Sequence, residues 1–243
     1  MTRRIFVGDI NGCRDEFERL LEAVAFDATS DEVHPVGDFI NRGPDSLGVL
    51  RLCRELKVGG VLGNHDLHFL RVLEGTRQPG KRDTLDKLLA ASDCEELAAW
   101  LRARPFVRDL GDVLCVHAGF NPKWRDPVAT LRACDPETES SDSRFAVSVR
   151  YCDSEGNKPE VDWPAPSEPF VPWFEHWPPT SNETRTVVFG HWARMGRVER
   201  PQLRGLDTGC VWGKKLTAWI AEEDRFVDVP AARVYSPTSL PPM

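Results

Sequence analysis

In the N-terminal part of the chain, short apolar runs end in polar clusters, and each cluster is followed by apolar residues at helical spacing. Ile5 to Gly8 reads as a buried strand, Asp9-Ile10-Asn11-Gly12 as a turn, and Phe17, Leu20, Leu21 and Val24 as one face of a helix. A second round runs from the strand Val33 to Gly37, through the loop Asp38 to Pro44, into a helix carrying Leu47, Val49, Leu50, Leu52, Cys53 and Leu56. In the third, Val58 to Leu62 reads as a strand ending at Gly63-Asn64-His65-Asp66, and Leu67, Phe69, Leu70 and Leu73 continue as a helix. Three such units predict an α/β fold with parallel strands, whose reactive groups sit on loops at the carboxyl ends of the strands.

Residues 83–103 then read as two helices, a flank or lid, carrying Leu85, Leu88, Leu89, Leu97, Trp100 and Leu101. Phe106 and Val107, a Gly111-Asp112 turn and the strand Val113 to Val116 form a hairpin that delivers His117-Ala118-Gly119. The stretch from about 133 to 180 is first acidic and Ser-rich, then crowded with Pro and Trp, and reads as an irregular cap or loops. Thr186 to Phe189 runs into Gly190-His191-Trp192, and Leu203 to Leu206 into Asp207-Thr208-Gly209. Leu216 to Ile220 and Phe226 to Val229 read as closing strands, and residues 236–243 as a solvated tail.

Composition narrows the class. A hydrophobic share of 41% with eight Trp and twelve Phe supplies a large core, and 243 residues fit a single domain spanning 1–243. The formal charge of −7 opposes general binding to nucleic acid or acidic lipid, so an anionic substrate must meet bound cations or a local basic site. Seven scattered cysteines without a CxxC pair fit neither a disulfide framework nor a zinc knuckle. The N-terminus lacks the apolar core of a signal peptide and no stretch is long enough to span a membrane, so the expected compartment is the cytoplasm.

Metal-assisted hydrolysis needs hard anionic ligands close together, with neutral N or O donors completing each shell. Asp9, Asp38, Asn64, His117 and His191 supply this set, each at the end of an expected strand. Two cations about 3.5–4 Å apart can share a hydroxide whose pKa falls from ~15.7 toward neutrality. His65 is placed to protonate the leaving oxygen, Asp66 to orient it, and Arg42 offers a bidentate fork for phosphate. Taken singly, each residue has a plainer reading: Asp9 as a turn or cap, Asn64 as a left-handed turn residue, Arg42 as a surface charge, His117 as a core histidine. Their ordered recurrence at strand ends favours the functional reading. His34 and His176 read as structural, and His68 has no role derivable from the sequence.

The blocks GD, GDxxxRG, GNHD, HAG and GH resemble those of the calcineurin-like, PPP-type metallophosphatases. Among these, Leu62 to His68, His117-Ala118-Gly119 with Trp124, Gly190 to Ala193 and above all Leu206 to Gly213 are similar to the bacterial symmetrical diadenosine tetraphosphate hydrolases. The resemblance implies a four-layer α/β/β/α sandwich and hydrolysis of diadenosine tetraphosphate to two ADP. It also implies two divalent metal ions, manganese first, with magnesium, cobalt or iron as alternatives. Asp9 and Asp38 would bind the first metal, and Asp38, Asn64, His117 and His191 the second. His65 would be the general acid, Arg42 and Asn64 would contact substrate, and Arg150 would be a second phosphate-binding arginine.

Two departures stand out. The first block usually reads GDxHG, but Asn11 stands where that family places a ligating His, which predicts a weaker first metal site. Asn41 stands where the protein phosphatases of the group carry an Asp that helps set the acid histidine, which weighs against that alternative activity. A nucleotide-polyphosphate binder without turnover is the third reading, and the intact remaining ligands disfavour it. Trp124, Trp192 and Trp212 are candidates for stacking an adenine.

Overall fold

Alternate residues of β1 (Arg3–Val7) belong to two different cores, with Phe6 in one and Ile5 and Val7 in the other. That period of two is the mark of a strand buried on both faces. The computed structural model describes residues 2–178 and 183–237. After β1 come α1 (Arg14–Ala23), β2 (Asp31–Pro35), α2 (Ser46–Glu55), α3 (Asn64–Leu73), α4 (Asp86–Leu89) and α5 (Cys94–Arg102). The hairpin β3 (Val107–Asp109) and β4 (Val113–Val116) follows, then α6 (Pro127–Arg132), α7 (Ser141–Ala146) and the short pair β5 (Tyr151–Cys152) and β6 (Val171–Pro172). β7 (Thr186–Phe189), β8 (Val198–Arg200), β9 (Leu203–Gly205), β10 (Lys215–Ile220) and β11 (Arg225–Pro230) close the sequence of elements.

One sheet has the order β11-β10-β1-β2 and the other β3-β4-β7-β9-β8. Phe6 and Trp219 from the first sheet meet Val113, Cys115 and Val188 from the second, and Val36, Val61 and Leu206 complete this seam. The neighbouring residues on the same strands, Ile5, Val7, Leu114, Val116, Val187, Phe189, Leu216 and Ile220, turn outward into the larger core. α1 packs there against β10 and β11, and α6 against β3. Helix, sheet, sheet, helix is thus the layer order, the α/β/β/α sandwich of the metallophosphoesterase fold.

Each sheet is mixed. β1 pairs with β2 in parallel, and β4, β7 and β9 run parallel to one another, while β10, β11, β3 and β8 are antiparallel. The strand expected at Val58 to Leu62 is absent: Gly59 and Val61 bond to Val33 and Pro35 carbonyls, but Gly60 at φ +87° breaks the ladder. The expected third parallel unit is therefore an extended segment leading into α3. α7 lies within the stretch read as irregular, because Ser140 and Ser143 cap it reciprocally at 3.0 Å in each direction. The helices of the 83–103 region pack on α2 and α3 as a flank. Of the expected tail, Ser236 is buried and tied back to the body, its N–H donating to the Val211 carbonyl at 3.0 Å, and residues 238–243 lie outside the described residues. Among the described residues no helix is long and apolar enough to cross a membrane.

Candidate functional site

Five parallel strands, from both sheets, point their carboxyl ends at one place. Asp9 lies just past β1, Asp38 past β2, His117 directly after β4, His191 past β7, and Asp207 past β9. Asp9, Asp38 and His117 are buried with potential ligand atoms within 4.8 Å of one another. The loops are held in costly backbone: Asn11, Asp38, Asn41, Arg42 and His191 all have φ between 47° and 75°. Close approach also requires glycine, since a Cβ on Gly190 would overlap Asp9 Oδ1.

Hydrogen bonds fix the ligand-bearing groups. His117 Nδ1 donates to the Val36 carbonyl at 2.8 Å, which leaves the Nε2 lone pair facing Asp38 Oδ2 at 3.6 Å. The His191 backbone N–H donates to Asp9 Oδ1 and Oδ2 at 3.1 and 3.2 Å, joining the two sheets. Asp38 Oδ1 accepts the His65 N–H at 2.8 Å. Asn64, the first residue of α3, puts its side-chain oxygen 3.1 Å from His117 Nε2. That amide oxygen faces only acceptors; turned over, the amide would donate to His117 Nε2 at 3.1 Å and to His191 Nδ1 at 2.8 Å. Lone pairs crowded in this way repel one another, and a cation among them reverses the sign. Two carboxylates, two imidazoles and an amide oxygen are a donor set suited to hard and borderline divalent cations.

The electrostatics agree. Burial first, then the neighbouring charges of Asp207 and Asp38, push the Asp9 carboxyl well above the usual range. Burial, with Asp38 nearby, takes Asp207 up to about 6. Burial, reinforced by Arg150, pulls His191 well down, and His191 Nε2 is buried without a hydrogen-bond partner. Buried carboxylates crowd each other and buried imidazoles resist protonation, and divalent charge would relieve both.

A cleft of about 660 Å³ opens beside this centre, lined in part by Asn64, His65, His191 and five arginines, Arg42, Arg71, Arg77, Arg144 and Arg150. In a chain of net charge −7, this is a local basic surface. Arg150 is held by Asp162 at 2.7 Å, while Arg71 and Arg144 share Glu139 at 2.8 and 2.6 Å. None of Trp124, Trp192 and Trp212 lines the cleft. They pack in or against the core, which corrects the expectation of adenine stacking on one of them.

Asp66 also differs from expectation. Its carboxylate accepts the backbone N–H groups of Asp38, Phe39 and Gly63 at 2.9, 3.0 and 2.9 Å, with no bond to His65. At the third position of α3 it is drawn to the free N–H groups of the helix start and the adjacent loop, so it braces the site rather than orienting the histidine. The neighbour of His65 is Asn41, whose Nδ2 lies 3.3 Å from His65 Nδ1. Asn41 is tied in turn to Asp83, which also holds His68 at 2.6 Å. His68 thus has a structural partner. Asn11 is buried, its Nδ2 3.5 Å from the Ile40 carbonyl. His34 is buried against Glu32, as the structural reading expects.

Asp83 and Asp207 were not among the expected site residues. Asp207 had a signal, since it follows an apolar run as Asp9 and Asp38 do.

The sequence profile of the calcineurin-like phosphoesterases matches residues 2–229. A symmetrical bis(5'-nucleosyl)-tetraphosphatase of Acidovorax sp. (strain JS42) is 38% identical, over 94% of this chain and 97% of its own. One of Ralstonia nicotianae is 39% identical over 87% of each. A solved structure described as a putative diadenosine tetraphosphatase superposes with a TM-score of 0.74 at 32% identity, covering 94% of this chain and 93% of that one. A yeast protein serine/threonine phosphatase shares the fold, with a TM-score of 0.62 at 14% identity. With the profile spanning nearly all of the chain and relatives aligned end to end, the protein belongs to the calcineurin-like phosphoesterase family.

Proposed function

We propose that this chain is a metal-dependent hydrolase that cleaves diadenosine tetraphosphate symmetrically, giving two ADP. The observation that carries the reading is the convergence of Asp9, Asp38, Asn64, His117 and His191 beside an arginine-lined cleft, in a chain whose relatives are named for that activity. Asp9, Asp38 and, more weakly, Asn11 hold the first of two divalent ions, manganese being preferred; Asp38, Asn64, His117 and His191 hold the second. When bound, the pair supplies a hydroxide nucleophile at neutral pH and neutralises phosphoryl charge.

The chain's own residues do the rest. Val36 keeps His117 in the tautomer whose Nε2 is free to ligate. Asp66 holds the Asp38 loop against the start of α3. Arg42 and Arg150 grip phosphate oxygens, Arg150 being steadied by Asp162. His65 offers a hydrogen to the departing oxygen. The chain acts as a single unit, with Ser143 and Arg144 of α7 and Val147, Ser148 and Arg150 after it lining the same cleft as Arg42.

The test is to incubate manganese-loaded protein with diadenosine tetraphosphate and separate the nucleotides, with a phosphoserine peptide in parallel. ADP as the sole product supports the proposal. ATP plus AMP rejects symmetrical cleavage, and turnover of the peptide alone would make the protein a phosphoprotein phosphatase.

A further inference from the structure

Asn41 is fully buried, and all four of its amide hydrogen-bonding positions are used. Its Oδ1 accepts the backbone N–H groups of Arg42 and Thr84 at 2.8 and 3.1 Å. Its Nδ2 donates to Asp83 Oδ1 at 3.0 Å, and its remaining hydrogen faces His65 Nδ1 at 3.3 Å. The amide cannot be turned over, because its NH2 would then meet two N–H groups and its oxygen a carboxylate. Asp83 is itself fixed, its Oδ2 accepting from Gly80 N and His68 Nε2, each at 2.6 Å. The direction of the bond to His65 follows: Nδ1 accepts, so the ring hydrogen sits on Nε2. A hydrogen on Nδ1 would point at a hydrogen of Asn41.

We infer that Asn41, locked by Asp83, restricts this site to weakly basic leaving groups, and that this pair of positioning residues separates phosphoanhydride cleavage from alkyl phosphomonoester cleavage. The inference deepens the function proposed above and rests on it for the identity of the natural substrate. In the anhydride reaction water adds to phosphorus, the bond from phosphorus to the central bridging oxygen breaks, and its electron pair leaves with ADP. The proton lost by water goes to solvent. The departing oxygen belongs to a phosphate, whose anion is stable near neutral pH, so a hydrogen bond from Nε2 is enough. A serine phosphate instead releases an alkoxide, which must take a full proton as its bond breaks. If Nε2 gave that proton, the ring would become an anion unless Nδ1 carried a hydrogen, and Asn41 opposes one there.

The test exchanges donor for acceptor while keeping charge and hydrogen-bond count: Asn41→Asp combined with Asp83→Asn. In the exchanged pair position 41 accepts from His65 Nδ1 and position 83 donates to it, while Gly80 N and His68 keep an acceptor. Manganese-loaded wild type and exchange variant are compared on p-nitrophenyl phosphate, phenyl phosphate and a phosphoserine peptide. The ratio of p-nitrophenyl to phenyl phosphate turnover should fall by about tenfold or more in the variant, with phosphoserine turnover rising in proportion, as expected when acid catalysis is restored. A ratio changed by less than about threefold, or in the opposite sense, overturns the inference. A second measurement does not depend on the exchange variant. With 15N-labelled histidine, and His65 assigned by loss of its signals in His65→Gln, Nδ1 of the wild type should resonate as an unprotonated nitrogen and Nε2 as a protonated one; the reverse pattern overturns the inference. The aryl series and the nitrogen shifts decide about Asn41 even if diadenosine tetraphosphate proves not to be a substrate.

Discussion

Asp66 lies directly beneath Asp38, its carboxylate accepting the Asp38 backbone N–H at 2.9 Å. The same carboxylate takes the Phe39 and Gly63 N–H groups, so one buried side chain pins the loop after β2 to the start of α3. Asp66→Asn keeps one accepting oxygen for three donors and leaves at least one buried N–H without a partner. The expected loss is about 1–3 kcal/mol of stability, read by urea unfolding. Unchanged stability together with altered leaving-group preference would return Asp66 to a role beside His65.

Asp38 contributes the carboxylate nearest both the His65 backbone and the His117 ring. Replacing it with Asn removes a charge from the centre without changing its size. Manganese affinity measured by calorimetry, and turnover of diadenosine tetraphosphate, should both drop by roughly a hundredfold or more. A variant that keeps either within tenfold of wild type would contradict the assignment of Asp38 as a shared ligand.

Asn11 is an amide where an imidazole would bind a borderline cation more tightly. Asn11→His should raise the metal content retained after dialysis against a weak chelator, with affinity at the weaker site up by about tenfold. Metal analysis showing the same stoichiometry and affinity in both proteins would mean that position 11 does not face an ion.

The metal-free protein should lose stability as the medium is made less acidic. Burial, with Asp38 nearby, takes the folded-state value of Asp207 up to about 6, so between the ordinary carboxylate range and that value the folded form holds a proton the unfolded form has released. Raising the pH through this window strips that proton and costs about 3 kcal/mol, after which the penalty is constant. In chelator, the wild-type melting temperature should fall relative to Asp207→Asn between about pH 4.5 and about pH 7. Parallel curves for the two proteins would show that Asp207 is ionised throughout.

The centre was legible in the sequence wherever a reactive residue followed an apolar run. Asp9, Asp38, His117 and His191 each sit just past a strand, and a strand buried on both faces announces itself by unbroken hydrophobicity. Val58 to Leu62 misled for the same reason: the segment is apolar and runs beside β2, but Gly60 prevents a ladder. β8 was missed because Glu199 and Arg200 are exposed and carry no strand pattern. Asp83 was not legible at all. It lies in a polar stretch without period, and its partner Asn41 is brought to it only by the packing of α4 on α2. For Asp66 the sequence reveals the place but not the role, since adjacency to His65 says nothing about which way a carboxylate turns on a helix.

Asp9 and Asp38 hang from one sheet, His117 and His191 from the other. A pair of ions sharing Asp38, one held by Asp9 and the other by the two histidines, would act as a rivet through two plates. Slippage of one plate by a single residue would carry a carboxylate out of reach of the imidazoles, so turnover tolerates no error of alignment. Any redesign of the apolar seam that keeps the enzyme working has, by that fact alone, kept the plates in register.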